Sequence, residues 1–218
     1  MQETWLKKED SPNLVLYILG WGTSPNAVFP IEHPDGFDVL CCCDYADWYE
    51  LKPERFSQYE RIYLFAWSFG VWVAEQCCAQ LPLYKAIALN GTPFPVSKDY
   101  GMRLRVVKRT VQGLARVGIG AFQEKAFGPN ADLPEGPYLE RPIQALVEEL
   151  DILAAASEND CSEHIAWDAA YIADKDEIFR PANMWAYWET RGLGTGFDSY
   201  HYPFTNHSLI LKHLIDGN

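Results

Sequence analysis

The stretch LFAWSFGVW, residues 64–72, decides how the rest of the chain is read. Strand-forming residues from Ile62 to Ala66 run into a single Ser68, and a helix-like apolar pattern begins at Val71. A serine between strand and helix with small residues two positions to either side is the nucleophile-elbow pattern G-x-S-x-G, here with Ala66 and Gly70 in the small positions. Small side chains are needed there because the turn brings the strand and helix backbones together, while the serine occupies an unfavourable backbone region. The string alone also describes an ordinary buried turn serine; the strand before it and the helix after it favour the elbow.

Working outward, apolar runs of strand length occur at 14–20 (LVLYILG), 37–43 (FDVLCCC), 61–67 (RIYLFAW) and 84–90 (YKAIALN). They are continuous rather than alternating, which suits parallel strands covered on both faces. A fifth run lies at 169–173 and a sixth is expected at 197–202. GVWVAEQCCAQL, 70–81, reads as a crossover helix, so repeated strand, helix, strand units predict an α/β layered fold. Residues 98–163 break the rhythm. YGMRLRVVKRTVQGLARVG is followed by the Gly/Pro-rich FGPNADLPEGP and then by RPIQALVEELDILAAA, whose apolar positions repeat at helical spacing. This is read as a helical insertion between two strands, with further helices expected near 181–189 and 206–216.

At 218 residues with 48 % hydrophobic content, the chain has the size and composition of one well-buried globular domain. Its net charge of −12 argues against general affinity for nucleic acid or for an anionic membrane surface. MQETWLKKEDSP, residues 1–12, is charged, and no apolar stretch approaches the roughly eighteen residues of a membrane span, so a cytoplasmic protein is expected. The cysteines at 41, 42, 43, 77, 78 and 161 lack zinc-ligand spacing and read as small buried hydrophobes in a reducing compartment.

A serine nucleophile needs a base and an orienting acid, which in this kind of fold follow it in the order Ser, Asp, His. Asp174 and Asp176 lie just past the fifth strand-like run, and His201 just past the sixth. Asp168 falls within or before a strand and is the weakest acid. His207, near the start of the terminal helix, competes with His201, but a loop position favours His201; similar grounds favour Asp176 over Asp174. His33, in an early Pro-rich loop, and His213, in the terminal helix pattern, read as solvated or structural. LGWGT, 19–23, follows the first strand, where the amides of Trp21 and of Phe69, the residue after the nucleophile, could point at one oxygen.

With GWGT, AWSFGVW, LNGTPFPVSKDYG, DEIFRP and HYPF in this order and spacing, the chain from about residue 14 to 204 resembles the BioG-type pimeloyl-(acyl-carrier protein) methyl ester esterases of the α/β-hydrolase superfamily. The resemblance implies an α/β-hydrolase-like, mostly parallel sheet flanked by helices, with a helical lid over about 98–163. It also implies a cofactor-independent esterase of biotin synthesis that releases methanol from pimeloyl carrier protein. Carried over, Ser68 is the nucleophile, His201 the base, Asp176 the acid, and Trp21 and Phe69 the oxyanion donors. Elbows of this type often have Met after the serine; this chain has Phe69.

Arg103, Arg105, Lys108, Arg109 and Arg116 stand between 100 and 120 without an acidic residue, in a chain with 30 carboxylates and 18 basic groups. A basic helix on an acidic body suggests a specific acidic partner, and an acyl carrier protein fits. The alternative is a solvated face paired with Glu148, Glu149 and Asp151. Two rival readings are a general carboxylesterase or acyl thioesterase, and an inactive carrier-protein binding module.

Overall fold

The computed structural model describes residues 1–28, 31–129, 141–158, 160 and 163–215. Seven strands form one sheet: β1 (Gln2–Lys7), β2 (Asn13–Ile18), β3 (Phe37–Cys43), β4 (Arg61–Trp67), β5 (Leu83–Leu89), β6 (Ala169–Ala173) and β7 (Gly194–Phe197), in the spatial order β1-β3-β2-β4-β5-β6-β7. All neighbours run parallel except β1, which pairs antiparallel with β3. The helices are α1 (Gly70–Cys77), α2 (Leu104–Val117), α3 (Gly120–Phe127), α4 (Ile143–Glu158), α5 (Pro181–Trp188) and α6 (Ser208–Ile215). This is the mostly parallel sheet flanked by helices expected from the sequence.

Continuous apolar runs make the four central strands because each is covered twice. Val15, Tyr17 and Leu19 pack into the core on one face, and Leu14, Leu16 and Ile18 into the core on the other. The second of these cores continues into the helices that lie between β5 and β6: Val107 and Leu114 of α2 and Leu146, Leu150 and Leu153 of α4 belong to it. Cys41, Cys42, Cys43, Cys77 and Cys78 are buried and unbridged, and burial pushes the Cys43 thiol up to about 12. Cys161 lies outside the described residues.

The structure departs from the sequence reading in four places. The strand expected at 197–202 is instead β7, which ends at Phe197 and leaves His201 in a loop. A Cβ on Gly194 would meet the Trp185 ring at 2.6 Å, so this strand needs glycine where an apolar pattern looks for bulk. β1 was not expected at all; its exposed and half-exposed residues carry no continuous apolar run. The helix read over 70–81 stops at Cys77. The insertion contains a helix, α3, beyond the two that its periodicity suggests, while most of the Gly/Pro-rich segment after it lies outside the described residues. Among the described residues, no helix is long and apolar enough to cross a membrane.

The chain returning from α4 to the sheet is tied down by Glu75 of α1. Fully buried, its carboxylate accepts from the amides of His164 (2.6 Å) and Ile165 (2.8 Å) and from the Trp167 indole (2.7 Å). Burial raises this carboxyl above its ordinary range, and the three donors offset part of that cost.

Candidate active site

Ser68 follows the last residue of β4 and adopts φ of +61°, a left-handed conformation that a non-glycine residue holds only where its surroundings impose it. The Ser68 amide donates to Leu89 at the end of β5, at 2.9 Å, and α1 starts two residues later. The need for a small residue at position 70 is direct: a Cβ there would lie 2.2 Å from the Ile18 carbonyl oxygen and 2.5 Å from that of Leu19. On the other side of the elbow, a Cβ on Gly91 would lie 2.4 Å from the Ser68 carbonyl oxygen.

The loops after β6 and β7 bring the acid and the imidazole to this corner. His201 Nε2 lies 2.8 Å from Ser68 Oγ, and its Nδ1 lies 2.7 Å from Asp176 Oδ2, with all three residues buried. The other Asp176 oxygen accepts from the amides of Ile178 (2.8 Å) and Phe179 (2.9 Å), which fixes the carboxylate in its own turn. The Phe179 ring stacks on the imidazole at 5.8 Å with an interplanar angle of 4°. Asp174, two residues earlier, is exposed and takes no part. Asp168 accepts from the Ala86 amide at 2.8 Å and fastens β6 to β5.

The competing histidines are elsewhere. The carbonyl of His207 accepts from the amides of Ile210 and Leu211 at the start of α6, and its ring does not line the serine cavity. His33 is bonded to the Tyr17 hydroxyl at 2.8 Å, and burial depresses its pKa to about 4. His213 is bonded to Tyr171 at 2.8 Å.

Trp21 and Phe69 are both buried beside Ser68, and among the described residues neither backbone amide has a hydrogen-bond acceptor. Buried amides without partners are rare, and two on residues that line the serine cavity are the kind of donor an oxyanion site would call on. The glycine before Trp21 permits the approach, since a Cβ on Gly20 would already touch that of Ser68 at 3.0 Å. The cavity over the serine, about 70 Å3, has walls from Trp21, Phe69, Met102, Val107, Phe122, Leu150 and Phe179, with Lys125 and Glu177 as its charged members.

Asn90, at the end of β5, escaped the sequence reading. Its amide nitrogen donates to the His201 carbonyl (2.8 Å) and its side-chain oxygen accepts from the Ala173 amide (2.8 Å), so one buried side chain holds the imidazole loop and the end of β6 in register. Its φ of +45° is left-handed, as is that of Ser68 at the end of the neighbouring strand. The available signal was a lone polar residue closing the apolar run YKAIALN. The Trp67 indole, at 2.9 Å, is a second donor to the His201 carbonyl.

Arg103, Arg105, Lys108, Arg109 and Arg116 are all exposed on α2 or at its start. Among the described residues none of them pairs with Glu148, Glu149 or Asp151. Glu149 is instead buried, bonded to Arg141 (2.7 Å) and to the Tyr45 amide (2.7 Å), and Glu148 accepts from Gln144. No cluster of three or more potential metal-ligating side chains occurs among the described residues.

The sequence profile of the family described as "Pimeloyl-ACP methyl esterase BioG" matches residues 1–210. A crystal structure of BioG from Haemophilus influenzae superposes with a TM-score of 0.84 at 32 % identity, covering 94 % of this chain and 95 % of that one. A malonyl-(acyl-carrier protein) O-methyltransferase of Bacteroides fragilis is 32 % identical over 183 residues, 80 % of this chain; the chain spans 36 % of that longer protein. A lipase-esterase related protein from Clostridium acetobutylicum shares the fold, with a TM-score of 0.66 at 14 % identity over 99 % of this chain and 98 % of that one.

Proposed function

Since the chain belongs to the BioG family, we propose that it hydrolyses the methyl ester of pimeloyl-(acyl-carrier protein), giving pimeloyl-(acyl-carrier protein) and methanol in biotin synthesis. The observation that carries the chemistry is the single imidazole bonded to Ser68 through one nitrogen and to Asp176 through the other. In this mechanism Ser68 Oγ attacks the ester carbonyl while His201 Nε2 takes its proton. Asp176 keeps the ring oriented and stabilises the imidazolium. The amides of Trp21 and Phe69 receive the oxyanion. Collapse of the tetrahedral intermediate expels methoxide, which leaves as methanol with the proton from His201; water, activated by the same ring, then cleaves the acyl-serine ester.

The apolar cavity suits the polymethylene part of the acyl chain, and the exposed cations of α2 offer an acidic carrier protein a complementary surface. The B. fragilis relative is named for placing a methyl group on a carrier-bound acyl acid, the ester bond that this reaction would remove. The test is to mix the purified protein with pimeloyl carrier protein methyl ester and follow the mass of the carrier. Loss of one methylene unit, with the thioester intact and with Ser68→Ala inert, supports the reading. Release of the acyl group from the carrier would indicate a thioesterase, and no change of mass would remove the esterase reading altogether.

A further inference from the structure

The Trp21 indole does not simply line the cavity. Its Nε1 donates to the Leu146 carbonyl of α4 at 2.9 Å, across 125 positions of sequence, and its ring meets Phe122 of α3 edge-on at 5.2 Å. The next residue, Gly22, has φ of +72°, and a Cβ there would lie 3.5 Å from Leu146 Cδ2. A second link runs from the same helix to the start of the same loop. Glu149, one turn along α4, accepts from the Tyr45 amide at 2.7 Å, and the Tyr45 hydroxyl lies 2.8 Å from the Leu19 carbonyl. Arg141 holds Glu149 on one side and Asp44, the neighbour of Tyr45, on the other, at 2.7 and 2.9 Å. The loop carrying the Trp21 amide is therefore sandwiched between the serine, against which Gly20 lies, and α4, which holds it directly at Trp21 and, through Tyr45, at Leu19.

From these contacts we infer that α4 is a positioning element for the oxyanion site: through the Trp21 indole and through Glu149 and Tyr45, it sets where the Trp21 amide stands relative to Ser68. This rests on the reading of Trp21 as an oxyanion donor. The helix layer then has a part in the chemistry as well as in covering the substrate. A developing oxyanion is stabilised only by donors already in place, so loosening α4 costs transition-state binding and spares ground-state binding.

The experiment uses the full-length protein, a short p-nitrophenyl ester, and an alkyl boronic acid, whose boron bonds to Ser68 Oγ and directs an oxygen toward the two amides. Trp21→Phe keeps an aromatic ring against Phe122 and loses the N–H donor together with part of the indole's bulk. Glu149→Leu removes the second link, and Glu149→Gln retains an oxygen to accept from Tyr45. The expected result is a kcat about tenfold lower in Trp21→Phe and in Glu149→Leu at nearly constant KM, since full loss of one donor costs 10²–10³. Boronic acid binding should weaken by a similar factor, with Glu149→Gln close to wild type. An unchanged kcat in Trp21→Phe, or a loss confined to KM, overturns the inference; should Glu149→Leu fail to fold, Trp21→Phe decides alone. If wild type itself neither turns over esters nor binds the boronic acid at Ser68, it is the esterase reading that has failed.

Discussion

Nδ1 of His201 lies 2.7 Å from Oδ2 of Asp176, while Asp174, separated from Asp176 by one residue, is left in solvent. Both acids leave β6 on the same loop, and the choice between them is made by the turn: Asp176 is buried by accepting from the amides of Ile178 and Phe179, whereas the Asp174 amide is still engaged with β7 through the Phe197 carbonyl.

Asp176→Asn should therefore lower kcat by several powers of ten, on the order of 10⁴, because an asparagine favours the wrong imidazole tautomer. Asp174→Asn should stay within about threefold of wild type. Parallel substitutions separate the histidines: His201→Ala loses activity with its circular dichroism unchanged, and His207→Ala keeps most of it. A more damaging Asp174→Asn, in proteins that both remain folded, would reverse the assignment of the acid.

Asn90 yields a different signature. Asn90→Ala leaves the buried Ala173 amide and His201 carbonyl short of a partner, which should destabilise the fold by about 1–3 kcal/mol. It should also lower kcat with little change in KM, because the imidazole loop loses one of its fixings while the cavity keeps its walls. Thermal unfolding together with steady-state kinetics would reveal both effects. A stable variant with normal kcat would show that the Trp67 indole alone suffices to hold the loop.

How much of this was legible in the sequence depended on what each residue was doing. The central strands could be read because both their faces are buried, and Ser68 and Asp176 because each closely follows an apolar run at one edge of a parallel sheet; His201 was found from the chain order Ser, Asp, His, although the strand expected to carry it ends four residues earlier. β1 could not be, since an edge strand such as QETWLK needs no unbroken apolar run. β7 was misplaced because its glycines make room for Trp185. The bond from Trp21 to Leu146 joins residues with no local relationship, so no periodicity could have announced it.

The unannounced β1 strand carries a pH dependence of its own. The chain leaving it is pinned by Asp38, a fully buried residue of β3. Burial pushes the Asp38 carboxyl up, but Lys8 (2.8 Å), the Glu9 amide (2.7 Å), the Tyr59 hydroxyl (2.7 Å) and the Ser11 amide (3.3 Å) outweigh it and hold the pKa at about 2. A depressed carboxylate contributes stability in full above its unfolded value of 3.8 and loses it as pH falls toward about 2. Asp38→Asn should cost about 2 kcal/mol at pH 7, and the gap from wild type should narrow as pH drops from about 4 to about 2. Urea titrations at neutral and acid pH measure it; a gap of constant size would mean that the ionised form has no special role.

The exposed cations of α2 make the most demanding prediction, because they lie outside the triad. Arg105 and Arg109 are four residues apart, so they share a helix face, and both are exposed. If that face meets an acidic carrier protein, reversing both to Glu should reduce kcat/KM for the carrier-bound ester by about tenfold or more, since like charges then oppose encounter and docking. A small soluble ester needs only the cavity and the triad, and its turnover should barely change. Salt supplies an independent arm of the same experiment: exposed charges are screened beyond about 8–10 Å at moderate ionic strength, so added salt should depress wild-type turnover of the carrier substrate and leave the small ester alone. In the double variant that salt sensitivity should weaken or change sign. Equal losses on both substrates would instead indicate damage to the helical layer through α2, which packs against α4. Unchanged turnover of both would leave the five cations as a solvated face with no part in docking.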